Sequence, residues 1–152
     1  MERIASFQVD HDKLQPGLYL SRRDGEVTTF DLRFKKPNTG DLLTNAEMHS
    51  VEHIIATLLR NGRAKDAVIY FGPMGCQTGF YLLVDSRQLS DADAVALVKE
   101  TFTAGATFAG PMPGYSSVEC GNYRNLDTEL AKQQCAAYGA VIQNWTVDQL
   151  AY

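Results

Sequence analysis

The sequence lacks the features that would place it in a membrane or on a nucleic acid. No apolar run approaches the ~20 residues of a membrane-spanning helix, and the N-terminal stretch has no basic segment followed by an apolar core. The 14 lysines and arginines are scattered among 18 acidic residues, giving a formal net charge of -4. A nucleic-acid surface would need clustered basic residues, and here the longest basic runs are pairs. We therefore expect neither export, nor membrane insertion, nor nucleic-acid binding.

Cysteine is also scarce, with only Cys76, Cys120 and Cys135 in the chain. Three cysteines cannot all pair within one chain, and unpaired thiols are typical of proteins in a reducing compartment. Such thiols stay free for metal binding or for chemistry. We predict a cytoplasmic protein.

The chain has no tract rich in proline, serine or glycine and no internal repeat. Its 152 residues are 45% apolar and 21% charged, which is ordinary for a globular protein long enough to bury one sizeable core. We predict a single domain over residues 1–152.

Three segments have the composition of β-strands. Residues 27–34 alternate in their second half, with apolar side chains on one face and Asp31 and Arg33 on the other, which predicts a half-buried strand. Residues 67–71 and 79–85 are rich in aromatic and branched side chains, and a glycine-punctuated turn separates them.

Three other segments have helical periodicity. Thr44 and Glu47 form a capping-box pair, which predicts a helix from Thr44 to about Arg60. Ser90 opens a second predicted helix, and residues 126–142 contain a third. The strand connections after the first helix are hairpin-like rather than full crossovers, so the pattern favours an α+β fold over a doubly wound α/β fold.

The first of these helices carries two of the three histidines in the chain, in the sequence H-x-x-E-H. Residues four apart lie one turn above each other with Cβ atoms about 5 to 6 Å apart, so His49 and His53 can aim at one point. This spacing predicts a metal clamp with Glu52 beside it as an acid or base. The alternative is a polar helix face with an ordinary surface glutamate.

A metal centre of this kind needs a third ligand. Zinc and similar ions take imidazole nitrogen and thiolate sulfur, and catalytic sites usually hold three protein ligands with one position open. Cys120, in a turn-rich segment beside a glycine, is the best candidate. Cys76 is either a small buried hydrophobe or a reactive loop thiol, and Cys135 lies at helical spacing and is expected in the core.

The order H-x-x-E-H is also the signature of inverzincin metallopeptidases, in which the glutamate activates a zinc-bound water. A zinc metallopeptidase is therefore an alternative function.

Five segments together resemble the LuxS family of S-ribosylhomocysteine lyases, in the family's order and over nearly the whole chain. They are SFQVDH (6–11), FDLRF (30–34), HSVEH (49–53), GPMGCQTGFY (72–81) and ECGNYR (119–124). Each motif is weak alone, but the set is specific and outranks the peptidase alternative.

The resemblance implies roles for the residues already singled out. His49, His53 and Cys120 would hold a divalent ion, natively Fe²⁺ with Zn²⁺ or Co²⁺ as substitutes. Glu52 and Cys76 would be the two acid-base residues.

The implied reaction converts S-ribosylhomocysteine to homocysteine and 4,5-dihydroxypentane-2,3-dione, the precursor of a bacterial quorum-sensing signal. It proceeds through two sugar isomerisations and a β-elimination.

The resemblance also implies a substrate pocket and an assembly. Ser6, His11 and Arg33 match positions that line the pocket, and Arg33 could hold the amino-acid carboxylate as a planar fork. The implied fold is an antiparallel sheet packed against helices, in a homodimer with sites at the interface. Two departures are Leu126, where the family commonly has histidine, and Tyr70, where some members carry aspartate.

Overall fold

Four antiparallel strands form one sheet in the computed structural model, which describes residues 1–152, and their order is β1-β2-β4-β3. The strands are β1 (Gly17–Asp24), β2 (Val27–Arg33), β3 (Val68–Pro73) and β4 (Gly79–Asp85). The helices are α1 (Ala5–Gln8), α2 (Asn45–Asn61), α3 (Asp91–Ala106) and α4 (Thr128–Ile142), with short 3-10 turns at Tyr123–Asn125 and Val147–Gln149.

Alternation along β2 fixes the register of the sheet. Phe30 lies opposite Leu20 on β1 and Leu82 on β4, so apolar side chains from three strands meet on one face. That face packs against α2, α3 and α4 and, together with them, forms a core cluster of 30 buried residues. The predicted α+β class, with an antiparallel sheet packed against helices and the H-x-x-E-H motif on a central helix, is confirmed.

The capping residues identified in the sequence begin the helices as predicted. The Thr44 side chain accepts a hydrogen bond from the Glu47 amide while the Glu47 side chain accepts one from the Thr44 amide, so the capping box of α2 is complete. Ser90 caps α3 through the Asp93 amide. These side chains satisfy backbone donors that a helix N-terminus leaves free.

The prediction that β2 is half-buried is wrong, because its polar face is covered as well. Asp31 and Arg33 are only 1% and 2% exposed, and Arg33 Nη2 lies 2.5 Å from Asp31 Oδ2. The hydroxyl of Tyr152 donates to the same carboxylate at 2.7 Å. Buried charges persist when they are paired and hydrogen-bonded, and a residue from the far end of the chain completes this arrangement.

Strand β1 and helix α1 were not predicted. The register of β1 shifts between Leu20 and Arg22, and such a bulge breaks the alternation by which a strand is recognised. No helix of the structure combines the length and apolar character needed to cross a membrane.

Close packing between α3 and α4 generates a stability prediction at Gly105. A Cβ at this position would lie 2.8 Å from Cys135 Sγ and 2.9 Å from Ile55 Cδ1. We expect Gly105→Ala to lower the free energy of unfolding by about 1 to 3 kcal/mol, as overpacked cores do. Urea denaturation measures this change.

Gly139 on α4 is the matched control, because a Cβ there meets no atom within 4 Å. We expect Gly139→Ala to raise the free energy of unfolding by about 0.5 to 1 kcal/mol through helix propensity alone. Equal shifts in both variants would contradict the packing argument.

Candidate metal centre and active site

Two imidazoles and one thiol converge beside α2. The rings of His49 and His53 lie at right angles with centroids 4.6 Å apart. Cys120 approaches from the loop before α4, with its Sγ 3.3 Å from His49 Nε2. One ligand atom from each of the three residues lies within 4.8 Å of the others, so the trio could hold a metal ion.

The outer nitrogens of both rings are fixed by oxygen acceptors. His49 Nδ1 lies 2.5 Å from Asn125 Oδ1, and His53 Nδ1 lies 2.8 Å from the Pro113 carbonyl oxygen. An amide or carbonyl oxygen can only accept, so each Nδ1 carries the proton and each Nε2 lone pair is free to bind a cation.

The loop around the centre is shaped for close approach. A Cβ at Gly114 would lie 3.0 Å from the His53 ring, and Gly114 takes a φ of +71°, which glycine adopts without strain. The Cys120 amide donates to the Ser116 carbonyl at 3.0 Å, and the Asn122 amide donates to Cys120 Sγ at 3.4 Å. Backbone contacts therefore aim the sulfur at the histidines.

The donor set fits a divalent transition-metal ion. Neutral imidazole and thiolate suit both Fe²⁺ and Zn²⁺, and three protein ligands leave a coordination position for a substrate oxygen. Hydrogen bonds to the outer ring nitrogens are the usual accompaniment of such ligands.

Glu52 lies next to this centre. It is half-buried and lines a cavity of about 290 Å³ together with His53, Pro113 and Gly114. Its carboxylate therefore shares a cavity with one of the predicted ligands.

Cys76 lies in the turn between β3 and β4 with an exposed side chain. This position excludes the buried-hydrophobe alternative. Its Sγ is 3.0 Å from Thr78 Oγ1 and 3.9 Å from Arg33 Nη1. The sulfur therefore lies within contact of a hydroxyl and a guanidinium group.

Arg33 is held rigidly beneath this thiol. Its guanidinium donates to Thr78 Oγ1 at 2.8 Å and to Asp31. Burial opposes the charge of Arg33, but the Asp31 carboxylate outweighs burial and the pKa of Arg33 is raised. The group is therefore cationic throughout the physiological pH range.

The remaining pocket residues are divided between cavities. His11 lines a cavity of about 460 Å³ with Cys76 and Thr78, and its Nδ1 lies 2.8 Å from the Val9 carbonyl oxygen. Ser6 lines a separate cavity on the sheet with Tyr81. The cavity of Cys76 and His11 is distinct from that of Glu52 and His53.

Two positions depart from the pattern of the family that the sequence resembles, and one of them is buried while the other is exposed. Leu126 is 6% exposed and belongs to the core cluster, while Tyr70 is an exposed residue on β3.

Sequence reasoning missed the partners of the site residues. Asp31 lies two positions before Arg33 on the same strand face, so that pairing had a readable signal. No such signal points to Asn125 or Thr78. Their partners, His49 and Arg33, lie 76 and 45 positions away in the sequence.

The exposed thiol of Cys76 and the buried thiol of Cys135 should differ in reactivity. Burial raises the pKa of Cys135 to about 12, so it remains an unreactive thiol at pH 8, whereas Cys76 is exposed. We expect iodoacetamide at pH 8 to label Cys76 readily in the folded protein, and Cys135 only after unfolding in denaturant. Peptide mass mapping measures both rates, and equal labelling of the two in the folded state would contradict the assignment.

Comparison with known proteins gives one consistent result. The family model for S-Ribosylhomocysteinase (LuxS) matches residues 4–148. The S-ribosylhomocysteine lyase of Desulfotalea psychrophila is 48% identical over 158 residues, covering 100% of this chain and 99% of that protein. Those of Finegoldia magna and Borreliella burgdorferi are 45% and 43% identical, with the same coverage.

The family match extends across the sheet, the three candidate metal ligands and both acid-base candidates, and the relatives align from end to end. The chain belongs to the LuxS family of S-ribosylhomocysteine lyases.

Proposed function

We propose that this protein is an S-ribosylhomocysteine lyase that releases homocysteine and 4,5-dihydroxypentane-2,3-dione, the autoinducer-2 precursor. The observation that carries the proposal is the convergence of His49, His53 and Cys120 next to Glu52, in a chain that aligns over its full length with relatives named for this activity. The cleaved bond is a thioether. The family match sets the peptidase alternative aside.

His49, His53 and Cys120 would hold the metal, which we propose to be Fe²⁺ with Zn²⁺ or Co²⁺ as substitutes. When bound, such an ion acts as a Lewis acid that polarises the oxygens of the open-chain sugar. The hydrogen bonds to Asn125 and Pro113 engage the Nδ1 atom of each ring, which would leave Nε2 available to the ion.

Cys76 is proposed as the base of the two isomerisations. Its thiolate removes the proton from the carbon next to a carbonyl and returns it to the neighbouring carbon, so that the carbonyl moves along the sugar. The exposed position of the Cys76 side chain and the Arg33 guanidinium 3.9 Å from its sulfur support this role.

Glu52 is proposed to move protons among the sugar oxygens and to take the proton whose loss drives the final step. That proton leaves the carbon next to the carbonyl, the bond from the following carbon to sulfur breaks, and homocysteine departs as a thiolate. A half-buried carboxylate lining the cavity of His53 supports this role.

Ser6, His11 and Arg33 are proposed to contact the substrate, as the resemblance implied. His11 shares a cavity with Cys76, which supports its assignment. Arg33 has an Nε without a partner, although its two terminal nitrogens are bonded to protein groups. We therefore propose that Arg33 chiefly positions Cys76 through the contact between Nη1 and Sγ. Contact with the substrate carboxylate is its second proposed role.

We also propose a homodimer with two sites at the interface, as the resemblance implied, and the division of these residues between cavities supports it. Cys76 and Glu52 line different cavities of one chain, so a second copy is proposed to bring Glu52 of one chain to Cys76 of the other. Phe7 in α1 is 65% exposed and offers an apolar side chain for such a contact. We place the enzyme in the cytoplasm, in keeping with its free thiols.

Removal of the Cys76 thiol tests its role directly. We expect Cys76→Ala to lower homocysteine release by about 10² to 10⁴-fold, the usual contribution of a general base, while metal content stays at the wild-type level. A thiol assay and metal analysis measure the two quantities. Cys135→Ala is the matched control and should keep wild-type turnover, and full activity in Cys76→Ala would disprove the mechanism.

Mixed dimers test whether the site uses both chains. Cys76→Ala and Glu52→Gln homodimers should each be inactive. Co-expression places half of the chains in mixed dimers with one intact site, so activity should return to about a quarter of wild type. Absence of any recovery in purified mixed dimers would show that both residues come from one chain.

A further inference from the structure

The side chain of Asn125 connects the candidate metal centre to the first turn of α2. We propose that Asn125 is a positioning residue that orients His49 for metal binding. The inference rests on the proposed function, since it concerns the metal centre of that site.

The geometry of Asn125 is fixed at both ends of its amide. Its Oδ1 lies 2.5 Å from His49 Nδ1, and its Nδ2 donates to Asn45 Oδ1 at 2.6 Å. Because the nitrogen is engaged by an acceptor, the oxygen faces the imidazole and receives its proton. The amide thus selects the ring tautomer in which Nε2 is unprotonated.

The contact spans successive turns of one helix. Asn45, His49 and His53 are spaced four apart on α2 and so share a face. Asn125 bridges the first two of these positions from the 3-10 turn at Tyr123–Asn125. Asn125 therefore holds the ring of His49 against α2 through its contact with the Asn45 side chain.

The two histidines are held in different ways. His53 Nδ1 bonds to a backbone carbonyl, that of Pro113, which side-chain substitution cannot delete. His49 depends on a side chain. A substitution at Asn125, which is not a candidate ligand, should therefore loosen the orientation of the His49 ring.

The same loop approaches His49 from both sides. Cys120 Sγ lies 3.3 Å from Nε2, and Asn125, five positions later, lies against Nδ1. Without the amide oxygen the ring would rotate and exchange tautomers, and binding would have to order it. Loss of such an orienting hydrogen bond typically weakens metal affinity about 10- to 100-fold.

The test measures metal binding with Zn²⁺ alone, in competition with a chromophoric chelator, in the full-length protein. We expect Asn125→Ala to bind about 10- to 100-fold more weakly than wild type. Asn125→Asp, which keeps an acceptor oxygen at Nδ1, should recover most of that loss. Asn144→Ala, an exposed asparagine elsewhere, is the control and should bind as wild type does.

Asn45 supplies an independent check. Asn45→Ala should weaken binding less than Asn125→Ala, and the double variant should be no weaker than Asn125→Ala alone, because both changes act through one contact. Additive losses would overturn the bridging role.

Co²⁺ spectra separate orientation from general damage. In Asn125→Ala the sulfur-to-cobalt absorption from Cys120 should remain while the d–d bands change. Wild-type affinity in Asn125→Ala would overturn the inference and leave the proposed function standing, whereas failure of the wild-type protein to bind Zn²⁺ or Co²⁺ would overturn both. If Asn125→Ala does not fold, Asn125→Asp against Asn125→Leu decides, and equal affinity in these two would also overturn it.

Discussion

The packing of α2 is the constraint on which the rest of the structure depends. Its apolar face, including Val51, Ile54 and Ile55, is buried against α3, α4 and the sheet. The helical period that buries these side chains places His49, Glu52 and His53 along the adjoining, half-buried edge. One helical repeat therefore positions both the core side chains and the candidate metal ligands, and a helix that rotated to repack its core would also move those candidate ligands.

The loop between α3 and α4 completes the candidate metal centre because it is anchored to the same helix. The Asp127 amide donates to Ser50 Oγ at 2.8 Å, and Leu126 is buried in the core. Between these anchors and the end of α3, the loop supplies the Pro113 carbonyl, the Cys120 sulfur and the Asn125 amide. Buried leucine at position 126 serves as an apolar anchor for this loop.

A second group of polar side chains is centred on β2. Asp31 forms a buried ion pair with Arg33, and Arg33 in turn faces Thr78 and Cys76. The Tyr152 hydroxyl donates a hydrogen bond to the Asp31 carboxylate. The Tyr152 ring stacks on that of Tyr19 with ring centroids 5.1 Å apart. The Cys76 side chain is thus exposed to solvent, while Asp31 and Arg33 beneath it are buried.

Much of the local structure was readable in the sequence, and most of the long-range structure was not. The capping box at Thr44, the period of α2 and the composition of β3 and β4 each predicted what the structure contains. Cys120 could be matched to the histidines by ligand chemistry, but no spacing rule joins residues 71 positions apart. The burial of Asp31 and Arg33 escaped prediction because Tyr152 contributes to their cover, and β1 escaped it because a bulge interrupts its alternation.

We propose above that this chain cleaves a thioether with the help of a divalent metal held by His49, His53 and Cys120. The most direct measurement is anaerobic incubation of Fe²⁺-loaded protein with S-ribosylhomocysteine, followed by a thiol assay. We expect catalytic release of one homocysteine per substrate molecule, lost when the metal is removed by a chelator and restored when Fe²⁺ is returned. Absence of thiol release from the metal-loaded, folded protein would contradict it.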